Sequence, residues 1–230
     1  MDNVGMELRM TVLYTKIDDG IKWSITEKNL LKIVSERKKC QCSRYHRDID
    51  KILSLYGELL LRYILGVYYN INEDCVIFDY TKSGKPFFNN LKIQFNISHS
   101  GSVVVCAVSE LGDVGVDIEK IEELPESVVE YCFSHKEKQN LNSMSIDTRI
   151  GKFYDIWTRK ESYLKYKGWG VIDDMKTINT FDDSIEKYYH TYQLDGYIIN
   201  IYSEIDSEIT FQYMDFNDIR KYFLNTFCEK

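Results

Sequence analysis

The sequence is poor in residues that interrupt or cross-brace a chain. Only two prolines, Pro86 and Pro125, occur in 230 residues. No Pro/Gly/Ser-rich stretch, low-complexity segment or clear internal repeat divides it, so no linker is marked. The six cysteines include no Cys-x-x-Cys pair. Cys40 and Cys42 are close in sequence, but with no second pair they read as free thiols rather than a metal or redox centre. The four histidines are scattered and offer no clustered metal site. No apolar run approaches the ~20 residues of a membrane span; the longest is Val103 to Val108. The opening residues Met1-Asp2-Asn3-Val4-Gly5-Met6-Glu7 lack the basic start and apolar core of a secretion signal. A cytoplasmic protein that does not enter the membrane is expected. Positive charge is in deficit: 29 Lys and Arg stand against 36 Asp and Glu, for a net charge of −7. That argues against nucleic-acid binding, and any acidic partner must be met by a local basic or apolar patch.

What is present is a globular balance, 44% hydrophobic, 14% aromatic and 28% charged. The length suits one large domain or two small ones sharing a core. Alternation over residues 8–14 predicts a strand. Ser24-Ile25-Thr26-Glu27 has capping-box spacing and predicts a helix running to about Lys38. Ile49, Ile52, Leu53, Tyr56, Leu60, Tyr63, Ile64 and Val67 form the stripe of a long helix over 48–69. Strands are predicted at 75–80, 93–97, 103–109 and 114–119. Helices follow from Pro125 to about Leu141 and from Asp147 to Lys167, the second stopping near Gly168. Asp195-Gly196 between tyrosine-rich runs predicts a hairpin, and a strand at 208–214 with a helix at 216–227 closes the chain. Helices mixed with antiparallel-looking strands in each half indicate an α+β fold with a seam near residue 112.

The chemistry concentrates in two segments. In Val114-Gly115-Val116-Asp117-Ile118-Glu119 the alternation of a strand puts Asp117 and Glu119 on one face, about 7 Å apart. Two anions on an apolar strand are costly without a cation, and Gly115 permits close approach of another backbone. In the helix Phe153 to Lys165, Phe153, Ile156, Trp157 and Leu164 mark the core side. Glu161 borders that stripe, with Lys165 one turn further on. Glu161 and Lys165 are either a surface pair or an acid beside a metal with a lysine for phosphate charge. A third acid from the helix completes an oxygen-rich cup that Mg²⁺ accepts. Asn96-Ile97-Ser98-His99-Ser100-Gly101 is either an Asx/Ser turn or an anion-binding one.

Taken in order, Gly84-Lys85-Pro86, Phe95-Asn96-Ile97-Ser98-His99-Ser100, Val114 to Glu119, Trp157-Thr158-Arg159-Lys160-Glu161-Ser162-Tyr163-Leu164-Lys165 and Gly168-Trp169-Gly170 resemble the Sfp-type 4′-phosphopantetheinyl transferases, the holo-carrier-protein synthase superfamily. The resemblance implies two similar α+β lobes in a pseudo-dimeric arrangement, here residues 1–112 and 113–230, with the active site between them. It implies transfer of phosphopantetheine from coenzyme A to a serine hydroxyl of an acyl or peptidyl carrier protein, with release of adenosine 3′,5′-bisphosphate. Asp117, Glu119 and Glu161 would hold Mg²⁺, with Mn²⁺ as the alternative ion. Glu161, directly or through water, would take the serine proton. Lys160 and Lys165 would contact coenzyme A phosphates. Ser98 and His99 would bind nucleotide phosphates, Lys85 and Pro86 would border the adenine, and Arg37, Lys38 and Lys39 would meet the 3′-phosphate. A self-sufficient pair of lobes implies a monomer. The chain departs from the family where Leu53 stands in place of an arginine, leaving Lys51 or Arg47 to supply that charge. Val128, Val129, Tyr131 and Phe133 fall where the family docks its carrier.

Overall fold

The computed structural model describes residues 10–169 and 175–228. Gly170 and the first two residues of the predicted opening strand lie outside them. The first half runs β1 (Met10–Lys16), α1 (Ile25–Leu30), α2 (Glu36–Arg44), α3 (Asp48–Tyr68), β2 (Asp79–Tyr80), β3 (Pro86–Phe87), β4 (Gln94–Ser100) and β5 (Val103–Ser109). The second runs β6 (Gly115–Lys120), α4 (Glu126–Cys132), α5 (His135–Asn142), α6 (Ile146–Lys167), α7 (Asp183–Glu186), β7 (Tyr189–Leu194), β8 (Tyr197–Tyr202), β9 (Ile209–Tyr213) and α8 (Phe216–Phe223). No helix among the described residues is long and apolar enough to cross a membrane.

Two sheets form, ordered β4-β5-β1-β9 and β6-β8-β7, with β2-β3 as a separate hairpin. Their alternation builds the layers. On β5, Val104, Cys106 and Val108 face α3, while Val103, Val105 and Ala107 face the other sheet. Both faces of this strand are covered, which is why it reads as one continuous apolar run. Val114, Val116 and Ile118 meet that inner face, together with Ile199 and Ile201 of β8. On the far side of β6 and β8, Ile198 packs beneath Phe153 and Ile156 of α6. The order of layers is therefore helix, sheet, sheet, helix: two α+β lobes packed sheet to sheet.

The chain departs from its sequence pattern where a local cap outcompetes helix continuation. The capping box at Ser24 and Glu27 forms, but α1 ends at Leu30. Ser35 then caps α2 by accepting from the Lys38 amide at 3.3 Å. Glu58, in the middle of α3, fixes that cap by accepting from the Ser35 amide at 2.7 Å and its hydroxyl at 2.8 Å. Glu58 is itself buried against Arg62 at 2.8 Å. Likewise the helix predicted over 125–141 is two, because Ser134 and Glu137 make a second capping box. Residues 73–75 form a 3-10 turn, so the strand predicted at 75–80 is only Asp79–Tyr80.

The closing segment belongs by packing to the first lobe. β9 runs parallel to β1, pairing Met10 with Ile209. Phe216, Ile219 and Phe223 of α8 enter the core around α3, and Arg220 reaches buried Glu27 at 2.8 Å. β9 and α8 thus cross back from the second half of the chain to the sheet and core of the first.

Candidate active site

The site lies where β4, β6 and α6 converge. Because Val116 and Ile118 point into the space between the sheets, Gly115, Asp117 and Glu119 must point toward α6. Gly115 lets the helix come down almost onto the strand: a Cβ there would lie 2.0 Å from the Ser162 carbonyl oxygen. α6 is tied to the sheet by Asn200 of β8, whose amide donates to the Thr158 hydroxyl at 2.6 Å. This approach brings Lys165 to Asp117, Nζ to Oδ1, at 2.5 Å.

β4 supplies hydroxyls along the same line. Asn96 Oδ1 accepts from the Val116 amide at 2.9 Å, Ser98 donates to Asp117 Oδ1 at 2.8 Å, and Ser100 donates to Glu119 Oε2 at 2.7 Å. Lys165 Nζ also reaches Ser98 Oγ at 2.8 Å, and the Trp157 indole donates to Glu119 Oε1 at 3.4 Å. The sequence marks Trp157 only as a core residue and Ser100 only as part of a turn, and neither as a partner of Glu119. Yet Ser98 and Ser100 are spaced by two, as Asp117 and Glu119 are, and that matching period was the available signal.

The carboxyls are short of positive charge. Asp117 Oδ2 is buried with no hydrogen-bond partner. Burial, and then the charge of Asp117, push the Glu161 carboxyl up to about 7; the same two causes raise Glu119. Among the described residues no three acidic, histidine or cysteine side chains already close on one point, and the cation against Asp117 is Lys165. Hard carboxylate oxygens with an orphaned lone pair, repelling one another, are nonetheless a donor set suited to a hard divalent ion.

His99 lines two cavities. One, of about 700 Å³, is lined by Arg37, Lys38, Arg44, Tyr80, Pro86 and His99. The Arg37 guanidinium lies 3.9 Å over the Tyr80 ring, and Lys38 Nζ reaches Ser54 Oγ at 3.3 Å. The second, of about 480 Å³, runs past Arg47, Leu53 and His99 to Ser100 and Glu119. Leu53 walls this cavity, and Arg47, also on it, is engaged with Asp50 at 2.8 Å. Lys51 pairs with Asp48 at 3.3 Å and lines neither.

Two lysines sit elsewhere than the resemblance implied. Lys160 is fully buried. Its ammonium is answered by Glu137 at 2.8 Å and by the Met175 and Ile178 carbonyls. It therefore has no face left for a phosphate, and its expected role is corrected to a core ion pair. Lys85 turns away from the cavity that Gly84 and Pro86 line and donates to the Lys165 carbonyl at 2.6 Å. Val129 of α4 and Phe133, the residue just after that helix, point inward, with Phe133 stacked on Phe153 at 5.2 Å. Tyr131 is 76% exposed.

Two family profiles divide the chain between them. The one for the 4′-phosphopantetheinyl transferase superfamily matches residues 113–220, and the one for the N-terminal part of 4′-phosphopantetheinyl transferase matches residues 22–111. The chain belongs to the 4′-phosphopantetheinyl transferase superfamily. It is 40% identical over 138 residues to 4′-phosphopantetheinyl transferase gsp of Aneurinibacillus migulanus, covering 60% of this chain and 57% of that one. It is 34% identical over 143 residues to 4′-phosphopantetheinyl transferase ffp of Bacillus subtilis, covering 62% and 63%. Against 4′-phosphopantetheinyl transferase Sfp of Bacillus subtilis (strain 168) the identity is 29% over 181 residues, 73% of this chain and 80% of the relative. The first two matches thus span less than two thirds of each relative's length. The second match begins at residue 113, one residue before the Val114 to Glu119 segment that carries Asp117 and Glu119.

Proposed function

We propose that this protein transfers 4′-phosphopantetheine from coenzyme A to a serine hydroxyl of an acyl or peptidyl carrier protein, releasing adenosine 3′,5′-bisphosphate. The observation that carries this reading is that His99 lines both a basic cavity of nucleotide size and a second cavity that reaches Glu119, on the strand where Asp117 meets Lys165. Arg37 and Lys38 would take the nucleotide's phosphate charge, and Tyr80 and Pro86 offer flat apolar surface for its base. Ser98 and His99 would contact the pyrophosphate.

Asp117, Glu119 and Glu161 would hold Mg²⁺ or Mn²⁺, which when bound neutralises charge on the pyrophosphate. The chain's own groups supply the remainder. Glu161, whose carboxyl is raised to about 7 by burial and by Asp117 before any ion binds, would take the proton of the attacking serine directly or through a water. As the serine oxygen bonds to phosphorus, the pyrophosphate P–O bond breaks, and the ammonium of Lys165 stabilises charge on the departing phosphate. Both lobes come from a single chain, so we propose a monomer that meets coenzyme A in the cytoplasm, where thiols such as Cys40 and Cys75 stay reduced. The two lobes are proposed to divide near residue 112.

Intact-mass analysis tests the reading. An apo-carrier incubated with the protein, Mg²⁺ and coenzyme A is expected to gain the phosphopantetheine mass on its serine. Coenzyme A consumed without that gain would replace transfer by hydrolysis.

Carrier docking is proposed to be mainly apolar, centred on exposed Tyr131 of α4, because the protein's net charge of −7 repels an acidic carrier. Tyr131→Ala is expected to raise the carrier KM about tenfold, while the coenzyme A KM changes less than about twofold. Raising salt across the physiological range is expected to weaken carrier binding by no more than about threefold; a steep fall would show docking to be electrostatic.

A further inference from the structure

The loop that rims the basic cavity is also bolted to the far end of the catalytic helix. The turn between β2 and β3 closes on itself: the Gly84 amide donates to the Thr81 carbonyl at 2.9 Å, and the Lys85 amide donates to the Thr81 hydroxyl at 3.1 Å. One side of this turn, Tyr80, Gly84 and Pro86, lines the cavity. From the other side two side chains cross to the second lobe. Lys85 Nζ donates to the Lys165 carbonyl at 2.6 Å and the Tyr166 carbonyl at 3.2 Å, and Ser83 Oγ donates to the Gly168 carbonyl at 2.8 Å. Gly168 is the residue that ends α6, and the Lys165 and Tyr166 carbonyls are in its last turn, at the negative end of its dipole. A cation there makes charge-assisted hydrogen bonds to them. The residue whose carbonyl Lys85 grips is Lys165 itself, whose ammonium lies on Asp117 and Ser98.

We propose that Lys85 is a positioning residue: a strut between the lobes that fixes the backbone of Lys165, so that occupancy of the basic cavity sets the catalytic end of α6. The proposal builds on the transferase reading but goes beyond it, because it assigns the Lys85 ammonium to helix α6 and not to the nucleotide. Gly115 fixes α6 from beneath, at Ser162 and Tyr166. Lys85 and Ser83 fix its last turn from the side, and the two constraints together leave Lys165 one path to Asp117. The hydrogen bonds from Gly168 N to the Lys165 carbonyl and from Trp169 N to the Leu164 carbonyl close the same turn.

The test uses the full chain with Lys85→Met, Lys85→Arg and Ser83→Ala. Amide hydrogen exchange is followed through residues 164–169, with and without adenosine 3′,5′-bisphosphate. Lys85→Met is expected to speed exchange at the end of α6 about tenfold or more and to abolish the slowing that the nucleotide brings. In steady state it should lower kcat about tenfold with the coenzyme A KM within about threefold. Lys85→Arg, which can also cap helix carbonyls, is expected to restore most of both, and Ser83→Ala to give the same exchange pattern at smaller size. Should Lys85→Met fail to fold, the Ser83→Ala pattern decides. A rise in KM alone with unchanged exchange would make Lys85 a nucleotide contact and overturn the proposal. So would faster exchange spread evenly through the protein, which signals general destabilisation. If wild type transfers nothing to any carrier, the transferase reading fails while the exchange arm still decides the strut.

Discussion

Glu161→Gln is expected to lower the rate of phosphopantetheine transfer by about 10²- to 10⁴-fold without loss of fold. The substitution keeps volume and shape and removes the charge and a carboxylate oxygen, which would serve both as proton acceptor and as a ligand for the ion. Glu161 is the side chain of the cluster with the most strongly raised carboxyl, pushed to about 7 by burial and by Asp117. A group that is costly to ionise in place contributes nothing to stability as an anion. The metal-free variant is therefore expected to melt at or above the wild-type temperature at neutral pH, the pattern of a residue kept for activity at the expense of stability. Thermal melts in chelator and single-turnover transfer to an apo-carrier measure the two sides. Unchanged turnover would remove Glu161 from the chemistry, and a large fall in melting temperature would make it a structural residue.

Much of this site could be read from residue order because strands and helices impose fixed periods. Alternation alone put Asp117 and Glu119 on one face, and Gly115, two residues earlier, is on that face as well; the helix lies there. The long α3 and α6 followed from their apolar stripes and from Gly168, whose φ of 67° ends α6 in a left-handed turn. What escaped was set by partners distant in sequence. Lys160 lies beside Glu161 in a motif rich in charge, and nothing local says that Glu137, 23 positions away, swallows its ammonium. The break between α4 and α5 was nearer to hand: Ser134 and Glu137 have the same Ser-x-x-Glu spacing that was read correctly at Ser24. β9 gives no local sign that it joins β1, because parallel pairing across 199 positions depends on the whole chain returning. Lys85 was read through its glycine and proline neighbours, which do line the cavity; its own side chain answers to carbonyls on α6.

Gly115→Ala is expected to be the most damaging single methyl that the described glycines allow. The added Cβ would sit 2.0 Å from the Ser162 carbonyl oxygen and 2.6 Å from the Tyr166 amide nitrogen. Both are backbone atoms of a helix, so no rotamer change relieves the contact. The backbone angles of Gly115 are not in the left-handed region, so the penalty is wholly steric. α6 must retreat from β6 by more than about 1 Å to reach ordinary contact distance. That retreat loosens the Asn200–Thr158 hydrogen bond and carries Lys165 away from Asp117, which it meets at 2.5 Å. A cost of about 3 kcal/mol or more is expected, seen as a drop in Tm of about 6–12 °C for a chain of this size. Activity should fall about 10²-fold or more, since a catalytic group displaced by about 1 Å is enough for that. Gly151→Ala, on the same helix with nothing within 4 Å of the new Cβ, is the control. It should be neutral or stabilising by up to about 1 kcal/mol through helix propensity, with turnover unchanged. If alanine at 115 melted with the wild type, the strand and helix could not be packed as closely as the site requires, and the joint placement of Asp117, Glu119 and Lys165 would fall with it.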